Sequence, residues 1–261
     1  MSLKSRSLPL TELANLFGKS PNDKRDYLAR FTKPRTRLPS YNAGKACCVE
    51  ASAASGSLFE SAPALVGEAL WQFLLTQKAK NDLTVATFNW AFVSALSDWA
   101  GRPGFMARHR QFDQVTLAGM QRARLVTDII AVKDGTGSMV AVDPRRAEML
   151  SAKGLLVVQS LVHHLIRVQH PDLESLDITI LQFPETGTLL PNPNEVALAD
   201  SEKIIRRRVC VENRLGVAEP IEWAVLSGDV EETLRIFREV VRGAEIAPIR
   251  PTGSEGLFPG F

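Results

Sequence analysis

The sequence predicts a mixed α/β (α+β) fold in which helices flank a central mixed β-sheet. Hydrophobic residues follow a helical period in some segments and alternate, or run continuously, in others. Apolar residues make up 45% of the 261 residues, which is enough for a sizeable core. Because 31 Lys and Arg nearly balance 29 Asp and Glu, the composition excludes a disordered chain and a polycation.

The charge distribution divides the chain into three expected regions. The first 50 residues carry a net charge of +6, and the remaining 211 carry a net charge of −4. We therefore expect a basic N-terminal arm with a short helix (1–57) and a core domain (58–215). A C-terminal helix and a flexible apolar tail (216–261) follow.

The N-terminal arm contains one amphipathic segment. Leu10, Leu13 and Leu16 recur at helical spacing within residues 8–17 and predict a short helix that packs on the body or on a partner. The stretch 24–45 then combines several cations with two aromatic residues. It fits either a solvated extension or an arm that contacts phosphates and stacked bases.

Two helices are expected before the sheet. The first spans 64–77, where leucines and Trp71 mark the side that would be buried. The second spans 84–100, is rich in aromatic residues and ends at the breaker GRPG, 101–104. We expect these two helices to pack together.

The sheet is predicted to follow directly. Val, Ile, Leu and Thr alternate or run continuously over 111–115, 122–132 and 138–142, and the turn KDGTG joins the last two strands. The three strands indicate a β-hairpin or a meander. A helix is expected to begin directly after them, at DPRRAEML, 143–150.

A crossover helix and a further strand complete the expected sheet. Residues 154–170 form a long apolar helix closed by Pro171, and 176–183 form a strand. The order of helices, strands, helix and strand favours a layered architecture over a bundle or a barrel.

The C-terminal part mixes loops with one helix. We expect a long surface loop over 184–201, a basic run over 203–211, and an amphipathic helix over 230–242. The tail 248–261 is rich in Pro and Gly and carries three apolar residues: Leu257, Phe258 and Phe261. Such a tail either docks in a groove of a partner or of a second copy, or packs on its own body.

Most familiar chemical motifs are absent. The sequence has no GxxxxGK[ST], GxGxxG, HExxH or GxSxG motif, which argues against a P-loop protein, a dinucleotide-binding protein, a zincin and an α/β-hydrolase. Its three cysteines, Cys47, Cys48 and Cys210, form no CxxC pair. They are expected to be reduced thiols.

Two acidic residues stand out in the predicted hairpin. Asp128 falls inside RARLVTDIIAV, and Asp143 follows SMVAV with Arg145 two residues later. Over residues 60–183 the sequence resembles the PD-(D/E)xK nuclease superfamily on these positions, with arginine in place of the lysine. The resemblance implies a restriction-endonuclease-like core and a metal-dependent phosphodiesterase.

The resemblance also implies a metal site. Asp128, Asp143 and Glu68 would bind Mg²⁺ or Mn²⁺ through oxygen ligands, and Arg145 would stabilise the transition state as the third member of a catalytic set with Asp128 and Asp143. Arginine cannot act as a base, because it is effectively never deprotonated. If the site is inactive, no cofactor is expected. An alternative makes Asp143 the N-cap and Pro144 the first residue of a helix.

DNA or RNA is the partner that this resemblance implies. The cations expected to contact phosphates are Lys33, Arg35, Arg37, Arg108, Arg110, Arg122, Arg124, Arg146, Arg206, Arg207 and Arg208. Two alternatives remain open: an inactive nuclease fold that binds nucleic acid, and a protein-interaction subunit that docks through its tail.

The expected location is the cytoplasm, without membrane association. The basic start of the chain has no apolar segment typical of a signal peptide. Its apolar stretches are interrupted by Glu68, Gln72 and Gln159, so none reaches the length of a membrane helix.

Overall fold

The computed structural model describes residues 7–32, 40–52, 65–145, 149–190, 205–215 and 219–246. These residues form a mixed five-stranded sheet with helices packed against it. The predicted fold class, a mixed central sheet with flanking helices, is therefore confirmed.

The described part of the chain contains eight α-helices. They are α1 (Leu10–Leu16), α2 (Pro21–Phe31), α3 (Asn42–Lys45), α4 (Cys48–Ala51), α5 (Gly67–Phe73), α6 (Leu83–Ala100), α7 (Ala152–Val162) and α8 (Trp223–Ile246). A π-helical turn, Leu74–Lys78, continues α5, and a second one, His163–Arg167, continues α7. A short 3₁₀ turn, Pro171–Leu173, precedes the strand that follows.

Nine strands form one large sheet and two small hairpins within the described residues. They are β1 (Phe105–His109), β2 (Val115–Leu117), β3 (Gln121–Ala123), β4 (Ile129–Lys133), β5 (Thr136–Asp143), β6 (Asp177–Gln182), β7 (Glu185–Leu190), β8 (Ile205–Arg208) and β9 (Val211–Leu215). The large sheet has the order β1-β4-β5-β6-β9, and the small ones pair β2 with β3 and β7 with β8. Only β5 and β6 are parallel in the large sheet, and α7 lies in the crossover between them, as predicted.

The hairpin between β4 and β5 is confirmed. Lys133 pairs with Thr136, which leaves Asp134 and Gly135 as a two-residue turn. Both turn residues have positive φ, 53° and 77°. This is the geometry that makes Asp-Gly a preferred hairpin turn, because its twist matches the twist of the strands.

Two predicted strands are wrong in their limits. The run 122–132 is not one strand, because β3 ends at Ala123 and β4 begins at Ile129. Of 111–115, only Val115 belongs to a strand. The chain leaves the sheet before β4, where the backbone N–H and the hydroxyl of Thr127 both donate to the carbonyl of Val140, at 2.7 and 2.9 Å.

The helix predicted to begin at Asp143 is wrong in its start. β5 continues through Asp143, and α7 begins at Ala152. Ser151 is the N-cap, since its hydroxyl accepts a hydrogen bond from the backbone N–H of Gly154 at 3.1 Å.

The surface loop predicted over 184–201 is wrong over 185–190, which form β7. β7 pairs with β8, the basic run, in a hairpin that also contains Gly187 at φ 76°. The rest of that predicted loop, and the apolar tail, lie outside the described residues.

The core has two clusters, one on each face of the large sheet. Successive residues of β5 point to opposite faces, so Met139 and Ala141 join one cluster and Val140 joins the other. α1, α7 and α8 cover the first face. α3 to α6 cover the second face.

The N-terminal segments pack on this body. Leu13 and Leu16 of α1 are buried in the first cluster, so the short N-terminal helix docks on the body. In α2, the fully buried ammonium of Lys24 contacts Asp229 and Glu232 of α8 at 2.9 and 2.7 Å. The division of the chain at 57 and 215 stays a prediction.

Close packing also explains one glycine of α3. A Cβ added at Gly44 would lie 2.6 Å from Cδ1 of Phe92 and 2.7 Å from Oδ1 of Asn89. The amide of Asn89 accepts a hydrogen bond from the backbone N–H of Gly44 at 3.0 Å. Glycine therefore lets α3 approach α6 closely.

None of the described helices is long and apolar enough to cross a membrane.

Candidate functional site

Asp143, a predicted metal ligand, is fully buried at the end of β5. Its carboxylate accepts hydrogen bonds from Nε and Nη2 of Arg145 at 2.8 and 3.0 Å. It also accepts from the backbone N–H of Leu150 at 2.9 Å. This is a bidentate arginine–carboxylate pair closed by a backbone donor, an arrangement typical of a satisfied buried charge.

Arg145 connects this pair to the N-terminal helices. Its Nη1 donates to Oε1 of Glu12 on α1 at 3.0 Å, and the hydroxyl of Tyr27 on α2 donates to the other oxygen of Glu12. Desolvation lowers the pKa of Arg145, but its hydrogen bonds and the charges of Asp143 and Glu12 outweigh this effect and raise it. The arginine that stands at the lysine position of the motif therefore ties α1 and α2 to β5.

Asp128 lies just before β4 and is engaged elsewhere. Its Oδ1 accepts a hydrogen bond from the backbone N–H of Phe112 at 2.9 Å, and its Oδ2 is paired with Arg124. These contacts hold the chain that leads from β1 toward β2.

Glu68 lies on α5 with an exposed side chain. It accepts a hydrogen bond from Nε2 of Gln72 at 2.7 Å. Among the described residues, no group of three or more His, Cys, Asp or Glu side chains is placed to hold a metal ion. The binding of Mg²⁺ or Mn²⁺ stays a prediction from the sequence.

The predicted phosphate-binding cations are dispersed, and most of those described are paired. Arg110 pairs with Asp172, Arg124 with Asp128, Arg206 with Glu185, and Arg207 with Asp98. Arg108 and Arg122 are exposed. Lys33, Arg35, Arg37 and Arg146 lie outside the described residues.

Arg208 is buried rather than displayed on the surface. It donates to the carbonyl of Pro144 at 2.6 Å and to the hydroxyl of Tyr41 at 3.0 Å. Its guanidinium also lies 5.4 Å from the centre of the Tyr41 ring. This cation joins β8 to the segments around α3 and β5.

A cavity of about 720 Å³ is lined in part by Asp128. Its apolar floor consists of buried side chains from α4, the segment before β4, β5, β6 and α7: Cys48, Leu125, Val126, Ala141, Val158 and Ile180. Its charged lining residues are Lys45, Arg122, Arg124 and Asp128. The cavity has the size of pockets that bind small molecules.

Lys45 and Cys48 were not among the predicted site residues. Lys45 is accessible from the cavity, and desolvation lowers its pKa. Burial raises the pKa of the Cys48 thiol to about 12. No local pattern around either residue distinguishes it from an ordinary residue of a basic arm, because the cavity is formed by segments distant in sequence.

Comparison with known proteins corrects the functional interpretation. No curated protein and no solved structure matches the chain. A family model described as "Sliding clamp-binding bacterial toxin SocB" matches residues 11–243. The resemblance to PD-(D/E)xK nucleases is therefore wrong, and with it the predicted nuclease or nucleic-acid-directed function. The restriction-endonuclease-like identity of the core is not confirmed.

The matched region runs from α1 into α8 and so includes the whole five-stranded sheet and nearly all of both core clusters. The family description names a protein partner, so it agrees better with the expected protein partner than with the expected DNA or RNA partner. The chain belongs to the SocB family of sliding clamp-binding bacterial toxins.

Proposed function

We propose that this protein binds a bacterial sliding clamp and is a toxin through that interaction. The observation that carries the proposal is the family match, which covers residues 11–243 and therefore almost all of the folded body. A protein that acts on the clamp works in the cytoplasm, which is the location we propose.

The former nuclease candidates are structural residues of the body. Asp143 and Arg145 are hydrogen-bonded to each other in a buried network, and Asp128 is hydrogen-bonded to Phe112 and Arg124. Groups used in this way stabilise the body, and the body can then present a docking segment to a partner.

We place the docking segment in the C-terminal tail. α8 ends at Ile246, and the tail beyond it contains Leu257, Phe258 and Phe261 among Gly and Pro residues. A short peptide with a few apolar anchors is typical of segments that bind a preformed groove. Its anchors supply most of the binding free energy, as aromatic residues do at interface hot spots.

A binding titration tests both parts of the proposal. The full chain is titrated by calorimetry against the purified sliding clamp encoded by the same genome. Two variants accompany it: one that ends at Ile246, and the triple substitution of Leu257, Phe258 and Phe261 by alanine. A matched control replaces the polar tail residues Thr252 and Ser254 by alanine.

The outcomes separate the two parts. We expect the full chain and the polar control to bind, and both apolar-tail variants to bind at least about 100-fold more weakly, since anchor residues commonly contribute about 2 kcal/mol or more each. Equal binding by the variant that ends at Ile246 would assign the clamp contact to the matched body. Failure of the full chain to bind would overturn the function itself.

Growth of a bacterial host provides the matching functional measurement. Induced expression of the full chain is expected to arrest growth, while the triple alanine variant at equal protein level is expected to permit it. Arrest by both proteins would show that toxicity does not depend on the tail.

A further inference from the structure

We propose that the cavity beside β5 binds a small organic anion, whose acidic group contacts Lys45 and whose apolar part lies on the buried floor. This proposal does not rest on clamp binding, since the cavity belongs to the folded body and the tail is separate in sequence. The ligand class is an aryl or alkyl compound that carries one sulfonate, phosphate or carboxylate group.

The shape and polarity of the cavity support an amphipathic ligand. A volume of about 720 Å³ is within the range of small-molecule pockets. The floor residues, among them Leu125, Val126 and Ile180, are apolar and almost fully buried. Asn42 and Gln114 add amide groups to the lining. Apolar surface with a few polar groups is the usual composition of a ligand pocket.

The charges of the lining favour an anion over a cation. Three cations, Lys45, Arg122 and Arg124, face one carboxylate, that of Asp128. Arg124 is paired with Asp128, so this pair is neutral. Lys45 and Arg122 make no ion pair within 4.0 Å among the described residues, and they leave the lining with an excess positive charge.

Lys45 is the cation that we expect to contact the anion. Its exposed side chain lines the cavity, three residues before Cys48 of the apolar floor. Desolvation by the surrounding atoms also lowers its pKa. The nearby charges are those of Asp143 and Arg145. Asp143 is already bound to Arg145 and to the backbone of Leu150. A ligand anion would offset the desolvation cost through a charge-assisted hydrogen bond.

The test uses two probes that differ by one charge. Anilinonaphthalene sulfonate is an aromatic anion whose fluorescence rises in apolar surroundings, and phenylnaphthylamine is the same molecule without the sulfonate. Both are titrated into the full chain and into Lys45→Gln, Lys45→Arg and Lys80→Gln. Lys80 is exposed and does not line the cavity, so its variant is a control with the same change in net charge.

We expect Lys45→Gln to bind the sulfonate probe about tenfold more weakly than the wild type, the effect of one hydrogen bond to a charged group. Lys45→Arg and Lys80→Gln should bind it normally, and phenylnaphthylamine should bind equally to all of them. Equal affinity of the sulfonate probe for Lys45→Gln and the wild type would overturn the role of Lys45.

A second variant tests the cavity itself. Ala46 is exposed and lines the cavity, so Ala46→Trp fills it without disturbing the core. Circular dichroism confirms that the variant is folded. We expect both probes to lose binding in Ala46→Trp. Retention of both probes would place their binding elsewhere and refute the site.

Discussion

Replacement of Arg145 by methionine tests the interpretation that this arginine is a structural residue. Methionine keeps much of the length of the side chain and removes all of its hydrogen-bond donors. The change leaves the fully buried carboxylate of Asp143 with backbone donors alone, from Leu150 at 2.9 Å and from residue 145 at 3.4 Å, and it removes a donor from Glu12. We expect the free energy of unfolding to fall by about 3–5 kcal/mol, the usual cost of breaking one side of a buried ion pair.

The burial of the network determines this magnitude. The side chains of Arg145, Asp143 and Glu12 are 15%, 0% and 9% exposed. Arg235 provides the matched control, because it pairs with Glu239 at 2.6 Å but both side chains are about half exposed. Arg235→Met should cost less than about 1 kcal/mol, since exposed pairs are screened by solvent.

Urea unfolding followed by tryptophan fluorescence measures both variants, because Trp71, Trp90 and Trp99 are buried in the folded protein. In a thermal melt the loss should appear as a decrease of about 6–20 °C in Tm for Arg145→Met. The double variant Arg145→Met with Asp143→Leu should recover part of the loss, because no buried carboxylate is then left at position 143. A change below about 1 kcal/mol in Arg145→Met would show that the buried pair with Asp143 does not stabilise the fold.

Three further predictions concern thiols and packing. Burial raises the pKa of Cys47, Cys48 and Cys210 to about 12 from 9.0, so the thiolate form is about a thousandfold rarer than in a free thiol at neutral pH. Ellman's reagent should therefore label all three thiols in denaturant and fewer than one thiol per chain in the native protein. Fast labelling of the native protein would contradict their burial. The same shift predicts that the thiols' contribution to stability is fully present below about pH 9 and is lost as pH rises from about 9 to about 12, because the unfolded chain releases the thiol protons first; urea melts over this pH range measure the loss. Gly44→Ala should lower the free energy of unfolding by about 1–3 kcal/mol through the clash with α6. The control Gly228→Ala should not destabilise α8, because a Cβ added there meets nothing within 4 Å. Equal effects of the two variants in urea melts would contradict the close approach of α3 to α6.

Local signals predicted much of the fold. α6 was evident from its length and aromatic content, and the structure adds an N-cap at Asp82, which accepts from the backbone N–H of Val85 at 3.0 Å. The Asp134-Gly135 turn was evident because few other dipeptides adopt two positive φ angles. Both depend on residues that are neighbours in the sequence.

Features that depend on distant contacts were missed. The apolar pattern of 122–132 predicts one strand, because a buried loop and a strand can have the same apolar composition. α2 begins at a sequence signal for a helix, Ser20 followed by Pro21, but its charges suggested a solvated arm. The partners of Lys24 in α8 lie about 200 residues away along the chain.

The candidate site shows the same division. The two-residue spacing of Asp143 and Arg145 is visible in the sequence and is compatible with a metal motif or with an ion pair. Only the fold shows that Leu150 and Glu12 complete the pair. The cavity at Lys45 had no sequence signal, because its floor comes from five separate segments.

The most direct test of the central claim is a calorimetric titration of the full chain into the purified sliding clamp encoded by the same genome. We expect a saturable complex at micromolar concentrations or below. We also expect DNA and RNA at matched concentration to bind this protein no more than they bind an unrelated protein of similar charge. Absence of a complex with the clamp, with the chain shown to be folded by circular dichroism, would show that the protein does not bind the clamp.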